Sequence, residues 1–553
     1  MSLDVTSLYN RRADQRWNRV CTADLIERVT WSTPEHDAIV GLDGATSSDR
    51  YARLTYREAD ELANRVAHAL LGAGLDRGGR IAMFVENSVE AYVFRLGAAK
   101  IGTVVAPINP ALRSDVIAHT LGVLDPGFIA VDAELFDRVS PGLDEAGLKA
   151  DMTFEIGGSA VAGTVSFDDF VEGQPDREPS GTVHGDDIAE ILFTSGTTAM
   201  PKGVMLSHTS ATLAAHGFAL SLTRGLKFES DLVLVTCLPM MYHIGHHIFA
   251  LATMAVGGTF VMGRRPDPAV IAEALSAEQA TALWGGSPAM VDTLTSELEE
   301  HDISLPHLTS LTYGWAALPP SVLDRLRARA PQVQPFAIFG QTESISCHRF
   351  WPDGDDELYR RTSPTENYVG YPSPLLASRI VDPLGEPIDE NTDTVGEAVY
   401  RSPVMVAGYY KDENATREAF RGGWFSSGDS CRYGEGGRRI MVDRLKDIVK
   451  SGGENVSSLR VESVLVQHPA VAQAAVVGLP DERWGEAVTA VIVPRGQAPD
   501  PAEIIAYARE HLAGFETPKH VIYRDELPST VGGKILKYKL RQGLADESSA
   551  SPS

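Results

Sequence analysis

The sequence predicts an α/β protein with more than one domain, and three observations carry that prediction. From about Leu54 to Phe339, apolar runs of strand length alternate with amphipathic stretches of helix length. Later in the chain, past about Gly396, the runs shorten and glycines gather. At 553 residues the chain also exceeds what one hydrophobic core normally supports.

Residues 80–84, 103–107, 128–131, 232–237, 259–262, 282–285 and 333–339 read as strands, with helical candidates between them. This is the pattern of βα layers. The glycine-rich stretch past Gly396, with turns such as Asp382-Pro383-Leu384-Gly385 and Gly434-Glu435-Gly436-Gly437, reads as a β-rich subdomain, antiparallel or barrel-like. From Leu445 on, a helix (457–467), strands (471–477 and 487–493), a second helix (501–513) and a strand (520–523) make a compact α+β unit. Its length suits a separate small domain. The tail, 546–553, is small and polar and is expected to fray.

Composition excludes several function classes. With 43% apolar and 22% charged residues the chain is globular, and no apolar run reaches the roughly 18 residues of a membrane span. The start Met1-Ser2-Leu3-Asp4 lacks a basic-then-apolar signal, so no targeting segment is expected. Cys21, Cys237, Cys347 and Cys431 lie far apart without CxxC spacing, against a disulfide framework or a zinc site; a reducing cytoplasm fits best. A net charge of −25, from 49 basic and 74 acidic residues, repels nucleic acid. An anionic substrate therefore needs a locally basic pocket.

Such a pocket is written into Thr194-Ser195-Gly196-Thr197-Thr198-Ala199-Met200-Pro201-Lys202-Gly203, directly behind the apolar run Ile191-Leu192-Phe193. Hydroxyls, glycine backbone N–H groups and the Lys202 ammonium can surround phosphate oxygens. A nucleoside triphosphate is the natural ligand. The common NTPase loop is excluded, because Pro201-Lys202-Gly203 stands where that loop needs Gly-Lys-Ser/Thr. A second segment, Phe339-Gly340-Gln341-Thr342-Glu343, follows an apolar run. There Phe339 can stack on a base, Thr342 can bond the α-phosphate and Glu343 can hold Mg²⁺. In Ser427-Gly428-Asp429 the carboxylate can accept both ribose hydroxyls. Asp443-Arg444-Leu445-Lys446-Asp447, Lys450-Ser451-Gly452-Gly453-Glu454 and Thr530-Val531-Gly532-Gly533-Lys534-Ile535 complete the series, the last placing a lysine on a glycine-rich turn.

Taken in this order along nearly the whole chain, these motifs resemble the adenylate-forming superfamily: acyl-CoA synthetases, aryl-CoA ligases, adenylation domains of peptide synthetases and beetle luciferase. The resemblance implies a large N-terminal domain, residues 1–443, and a small mobile C-terminal domain, residues 444–553, with the active site between them. It assigns the phosphate loop to Thr194, Ser195, Gly196, Thr197, Thr198 and Lys202, and adenine contacts to Gly314 and Trp315 of Tyr313-Gly314-Trp315-Ala316-Ala317, with Phe339 and Gly340. Asp429 and Arg444 match the ribose positions, Lys446 the hinge and Lys534 the adenylation lysine. Implied substrates are ATP with Mg²⁺, a small carboxylic acid and coenzyme A, joined through acyl-AMP with loss of pyrophosphate. In the family the small domain then rotates, withdrawing the lysine so that a thiol can attack.

Some positions depart from the pattern. Ala199 stands where glycine is commonest. Leu238-Pro239-Met240-Met241-Tyr242-His243 has one residue more before its aromatic than the family's Pro-x-aromatic-His, so the match is anchored on Tyr242-His243. His243 then lies between acyl and phosphate pockets, contacting the carboxylate; a core histidine is the other reading. His243, His246 and His247 at helical spacing raise a metal site, but zinc needs a fourth ligand and the family needs none. Trp315 replaces a usually small residue at the edge of the acyl pocket; an indole there favours a short, cyclic or aromatic acid, unless it merely fills core space. Cys347 is either pocket lining or an inert thiol. Lys450, Gly452 and Gly453 offer charge and bare backbone to a pantetheine arm, or are simply a solvated turn. The stretch from Tyr400-Arg401-Ser402-Pro403 to Gly408-Tyr409-Tyr410 matches a family segment whose role is largely structural, and no chemistry is assigned to it.

The leading expectation is a cytoplasmic ATP-dependent acid:CoA ligase. Alternatives are transfer of the activated acid to a carrier-protein thiol or an amine, activation of another oxyacid, and a luciferase-like oxidative fate. No carrier domain follows Leu540, which favours a free-standing ligase with CoA as acceptor, although a carrier partner can act in trans. A catalytically dead binding protein is disfavoured because Lys534, Glu343 and Asp429 are all present. The acid itself and the oligomeric state are not legible at this level.

Overall fold

Strands of the computed structural model, which describes residues 20–159, 161–181, 183–194, 200–345, 347–529 and 535–550, assemble into three sheets. The first has Arg80–Phe84 at its centre, paired in parallel with Val104–Pro107 and Phe128–Asp132. Helices Val89–Lys100 and Ser114–Leu124 connect these strands, since parallel neighbours need a crossover and cannot be joined by a tight turn. Toward one edge, Ile188–Thr194 pairs with Val104–Pro107 in parallel and with Lys202–Ser207 antiparallel.

The second sheet contains a parallel run in the order Thr259–Met262, Val233–Thr236, Ala282–Trp284, Ser310–Gly314 and Gln334–Gly340. Its strand direction reverses at Cys347–Phe350, which returns beside Gln334–Gly340 as an antiparallel neighbour. Tyr368–Pro372, Arg439–Arg444, Trp424–Tyr433, Gly396–Arg401 and Ala377–Val381 then continue antiparallel. The change of character expected past Gly396 thus begins earlier. The direction reverses because the turn at Gln341 is too short for a helical crossover, and among the described residues the antiparallel strands extend the parallel sheet as an open path, not a closed barrel.

Between the first two sheets lies a shared core. Phe249 stacks on Trp284 with ring centroids 4.8 Å apart, and Phe218 meets Phe249 edge-on at 5.3 Å. Fully burying each such ring stabilises by roughly 2–3 kcal/mol.

The third sheet joins Glu454–Val456, Val449–Ser451, Gly485–Pro494, Val471–Asp481 and His520–Tyr523. It forms the small C-terminal domain with helices Ser458–Leu465 and Pro501–His511. Of the tail expected to fray, 546–550 instead end a helix, Lys537–Ala550, and 551–553 lie outside the described residues. Leu540 and Leu544, one helical turn apart, are buried against Ala475, Val477 and Val491, and this apolar face outweighs the polar composition that follows it.

Where the large and small domains meet, Asp443 Oδ2 accepts from the Ser458 N–H and hydroxyl, both at 2.6 Å. Lys537 Nζ reaches Glu462 at 2.8 Å and donates to Ser458 Oγ at 2.6 Å, and Arg541 pairs with Asp447 at 2.8 Å. No described helix is long and apolar enough to cross a membrane.

Candidate active site

Parallel strands of the second sheet deliver their C-terminal ends to one edge, where open α/β sheets bind ligands. Val233–Thr236 leads toward Tyr242-His243, Ser310–Gly314 ends at Trp315, and Gln334–Gly340 leads into Gln341, Thr342 and Glu343. The edge gathers residues widely separated in sequence. Thr342 Oγ1 lies 3.1 Å from His243 Nδ1, both side chains being half-buried. Gln341 Nε2 donates to Asp429 Oδ2 at 2.5 Å and to the Ser427 carbonyl at 2.8 Å.

Asp429 and Arg444 are cross-strand partners, with Arg444 Nε 3.6 Å from Asp429 Oδ1. Asp429 is buried, so its charge needs such partners; Arg444 remains half-exposed. Gly428 before it adopts φ +69°, a left-handed conformation that favours glycine, and its N–H donates to Glu397 at 2.9 Å. Phe339 tilts toward His348, ring centroids 6.0 Å apart, and Gly340 pairs with Cys347.

Thr194 and Lys202 face each other across the hairpin formed by Ile188–Thr194 and Lys202–Ser207. The turn between them carries Ser195, Gly196, Thr197, Thr198 and Ala199, which lie outside the described residues, as does Lys534. The Cys347 side chain also lies outside the described groups.

The acyl-side candidates are built differently. Trp315 has φ +68°, rare and strained for a bulky residue, and is 38% exposed. Its ring tilts against buried Trp284 at a centroid distance of 5.5 Å. Gly286, itself at φ +75°, lies beneath it: a Cβ there would meet Trp315, Met290 and Leu238 within 3.5 Å. Tyr242 is half-buried; burial raises its phenol pKa and its hydroxyl bonds Asn109.

Of the remaining candidates, Lys446 is exposed beyond Arg444, and Lys450 is exposed on Val449–Ser451 with its N–H bonded to Glu486 at 2.7 Å. Gly452 and Gly453 turn at φ +63° and +88°, Gly452 packed against Trp484 and Gly453 facing open space.

His246 and His247 separate from His243. All three follow Met240 closely, but Ile244–Ala250 is a π-helix, and its two histidines face Glu190 at 3.4 Å each. Arg95 already bonds Glu190 Oε1 at 2.6 and 3.1 Å, and also the Met240 carbonyl at 2.6 Å. Burial lowers both imidazole pKa values, that of His247 to about 3, so both are neutral. A dication there would add to the guanidinium charge inside a fully buried cluster. The group therefore reads as a charge-compensated core network.

Mg²⁺ takes hard oxygen ligands, usually one or two carboxylates together with substrate phosphates. Glu343 fits that donor set: its half-buried carboxylate is oriented by Tyr409, whose hydroxyl donates to Oε1 at 2.9 Å, and adjoins Thr342.

Two residues were missed by sequence reasoning. Gln341 stands in its motif without a role, and the segment holding Tyr409 was assigned no chemistry. Neither carries a local signal, since their partners Asp429 and Glu343 come from distant strands.

Comparison with known proteins places this geometry in context. The family model described as AMP-binding enzyme matches residues 26–410, and AMP-binding enzyme C-terminal domain matches 460–534. Among curated relatives, a long-chain-fatty-acid–CoA ligase of Thermus thermophilus is 32% identical over 501 residues, covering 89% of this chain and 90% of its own length. A feruloyl-CoA synthase of Amycolatopsis is 31% identical, covering 88% and 94%. Among solved structures, ATP-bound MatB from Rhodopseudomonas palustris superposes with a TM-score of 0.80 at 28% identity, covering 95% of this chain and 99% of its own.

Proposed function

The chain belongs to the AMP-binding enzyme family, and from that premise we propose that it is an ATP-dependent acid:CoA ligase. The observation that supports the reading best is the polar seam at the strand ends, where His243 meets Thr342 and Gln341 meets Asp429 beside Arg444. In this reading the carboxylate of a small acid enters beside His243 and attacks the α-phosphorus of ATP. The new bond joins acid oxygen to phosphorus; the α–β bridging bond breaks and pyrophosphate leaves. Negative charge gathers on the α-phosphate oxygens, to which Thr342 and Lys534 donate. Asp429 and Arg444 fix the ribose, Phe339, Gly340, Gly314 and the backbone of Trp315 flank the adenine, and Lys202 with the Thr194–Thr198 turn grips the phosphates.

Mg²⁺ belongs on Glu343 with the phosphates, where it supplies neutralising charge. Every other function falls to side chains and backbone of the chain itself. His243, oriented by Thr342, holds the acid carboxylate at the boundary between the two pockets.

In the second half-reaction the thiol of coenzyme A attacks the acyl carbon, the acyl–oxygen bond breaks and AMP leaves as the thiol proton is released. Residues 444–553 act as the mobile domain, turning about Lys446 and bringing Lys450, Gly452 and Gly453 to the pantetheine side. A carrier-protein thiol is the alternative acceptor. The enzyme works in the cytoplasm. Strained Trp315, backed by Trp284, favours a short, cyclic or aromatic acid over a long chain, with Tyr242 and Cys347 as further lining.

Lys534→Ala tests the division of labour. It is expected to lower acid-dependent adenylation by roughly 10²-fold or more, the scale of one lost charge-stabilising donor. Thioester formation from supplied acyl-AMP, followed by mass, is expected to keep most of its rate. Equal loss of both half-reactions contradicts the alternation.

A further inference from the structure

We propose that Tyr409 is a positioning residue that ties the carboxylate of Glu343 to the ammonium of Lys202, setting both against the triphosphate. The inference rests on the assignment of Glu343 to the divalent cation and Lys202 to the phosphates. Its hydroxyl donates to Glu343 Oε1 at 2.9 Å, while Lys202 Nζ lies over its ring, 5.2 Å from the centroid. One side chain therefore touches both charged groups by different chemistry, a hydrogen bond at its tip and the π face behind it.

The backbone holds this bridge in register. Gly408–Tyr409 pairs antiparallel with Lys202–Ser207, Gly408 opposite Met205 and Tyr409 opposite Val204. Tyr410 N–H donates to the Gly203 carbonyl at 2.7 Å, and Val406 N–H to the Glu343 carbonyl at 3.2 Å. The short segment thus stitches the hairpin that carries the phosphate loop to the strand end that carries Thr342 and Glu343. Gly408 adopts φ +128° and packs so closely that a Cβ would lie 2.7 Å from Thr416, and Thr416 Oγ1 accepts the Tyr409 N–H at 2.9 Å. A phenol is protonated at neutral pH, so the hydroxyl is available to donate to the carboxylate.

An arrangement of this kind keeps opposite charges near one another without collapsing them into a direct ion pair. Each retains capacity for a ligand: the carboxylate keeps acceptor positions for a cation, the ammonium keeps its donors for phosphate.

The test uses the full-length enzyme and Tyr409→Phe, which keeps the ring and removes the hydroxyl. ATP affinity is measured calorimetrically across a Mg²⁺ titration, with each half-reaction followed separately. Losing one hydrogen bond to a charged group is expected to raise the Mg²⁺ concentration for half-maximal ATP binding by about tenfold. Mg²⁺-free ATP affinity is expected to stay within about twofold, since the cation–π contact survives. Thioester formation from supplied acyl-AMP is expected to be unchanged. Tyr409→Leu, which removes the ring as well, is expected to weaken Mg²⁺-free ATP binding by about threefold. Glu343→Gln separates the two levels of inference. If it shifts the Mg²⁺ titration while Tyr409→Phe does not, the role of Tyr409 is overturned and the Glu343 assignment stands. If neither variant shifts it, the Glu343 assignment fails and the tyrosine bridge fails with it.

Discussion

On the nucleotide side of the strand ends, polar side chains touch one another: Thr342 with His243, Gln341 with Asp429, Asp429 with Arg444, Glu343 with Tyr409. One strand away, at the end of Ser310–Gly314, an indole in a strained left-handed conformation leans on a second, buried indole. On the proposed function the first region binds ATP whichever acid is used, so its polar groups answer to one ligand. On the same reading the second region faces the acid, the part named differently in a long-chain-fatty-acid–CoA ligase and a feruloyl-CoA synthase, and it is built from packed rings.

Separate perturbation of the two regions gives the largest contrast. Asp429→Asn weakens a buried, charge-assisted contact set and is expected to raise the KM for ATP about tenfold, leaving relative rates across a panel of acids unchanged. A changed acid preference breaks the separation.

Trp315→Gly should do the reverse in steady-state assays: longer acids gain several-fold relative to short ones, on the scale of a few methylenes in a pocket, while the KM for ATP moves less than about twofold. Its effect on stability is smaller still. Relief of roughly 1–3 kcal/mol of backbone strain offsets about 0.5–1.5 kcal/mol of aromatic contact and the area lost with the indole, so denaturant unfolding should shift by about 1 kcal/mol or less. An unchanged acid profile shows that the indole does not bound the pocket.

The same contrast explains what could be read from sequence. Parallel strands such as Arg80–Phe84 and Thr259–Met262 coincide with their expected bounds because short buried apolar runs are local signals. Asp429 was marked by its own motif and Arg444 only by the family resemblance of Asp443-Arg444-Leu445-Lys446-Asp447; strand pairing sets the two opposite each other. The reversal at Cys347–Phe350 was not legible, since it depends on the length of one turn, not on composition. Tyr409 was not, because its importance arises from strand pairing with a hairpin far away in sequence. The tail helix was hidden by polar residues around two leucines that only a tertiary partner makes decisive.

The most direct test of the central claim is isotope exchange between pyrophosphate and ATP, measured across a panel of carboxylic acids with coenzyme A withheld. The expected result is exchange that requires an acid, does not require the thiol, and is strongest for short, cyclic or aromatic acids. Absence of exchange with every acid, or exchange that appears only when coenzyme A is added, contradicts a reaction that passes through a free-standing acyl-adenylate at this site.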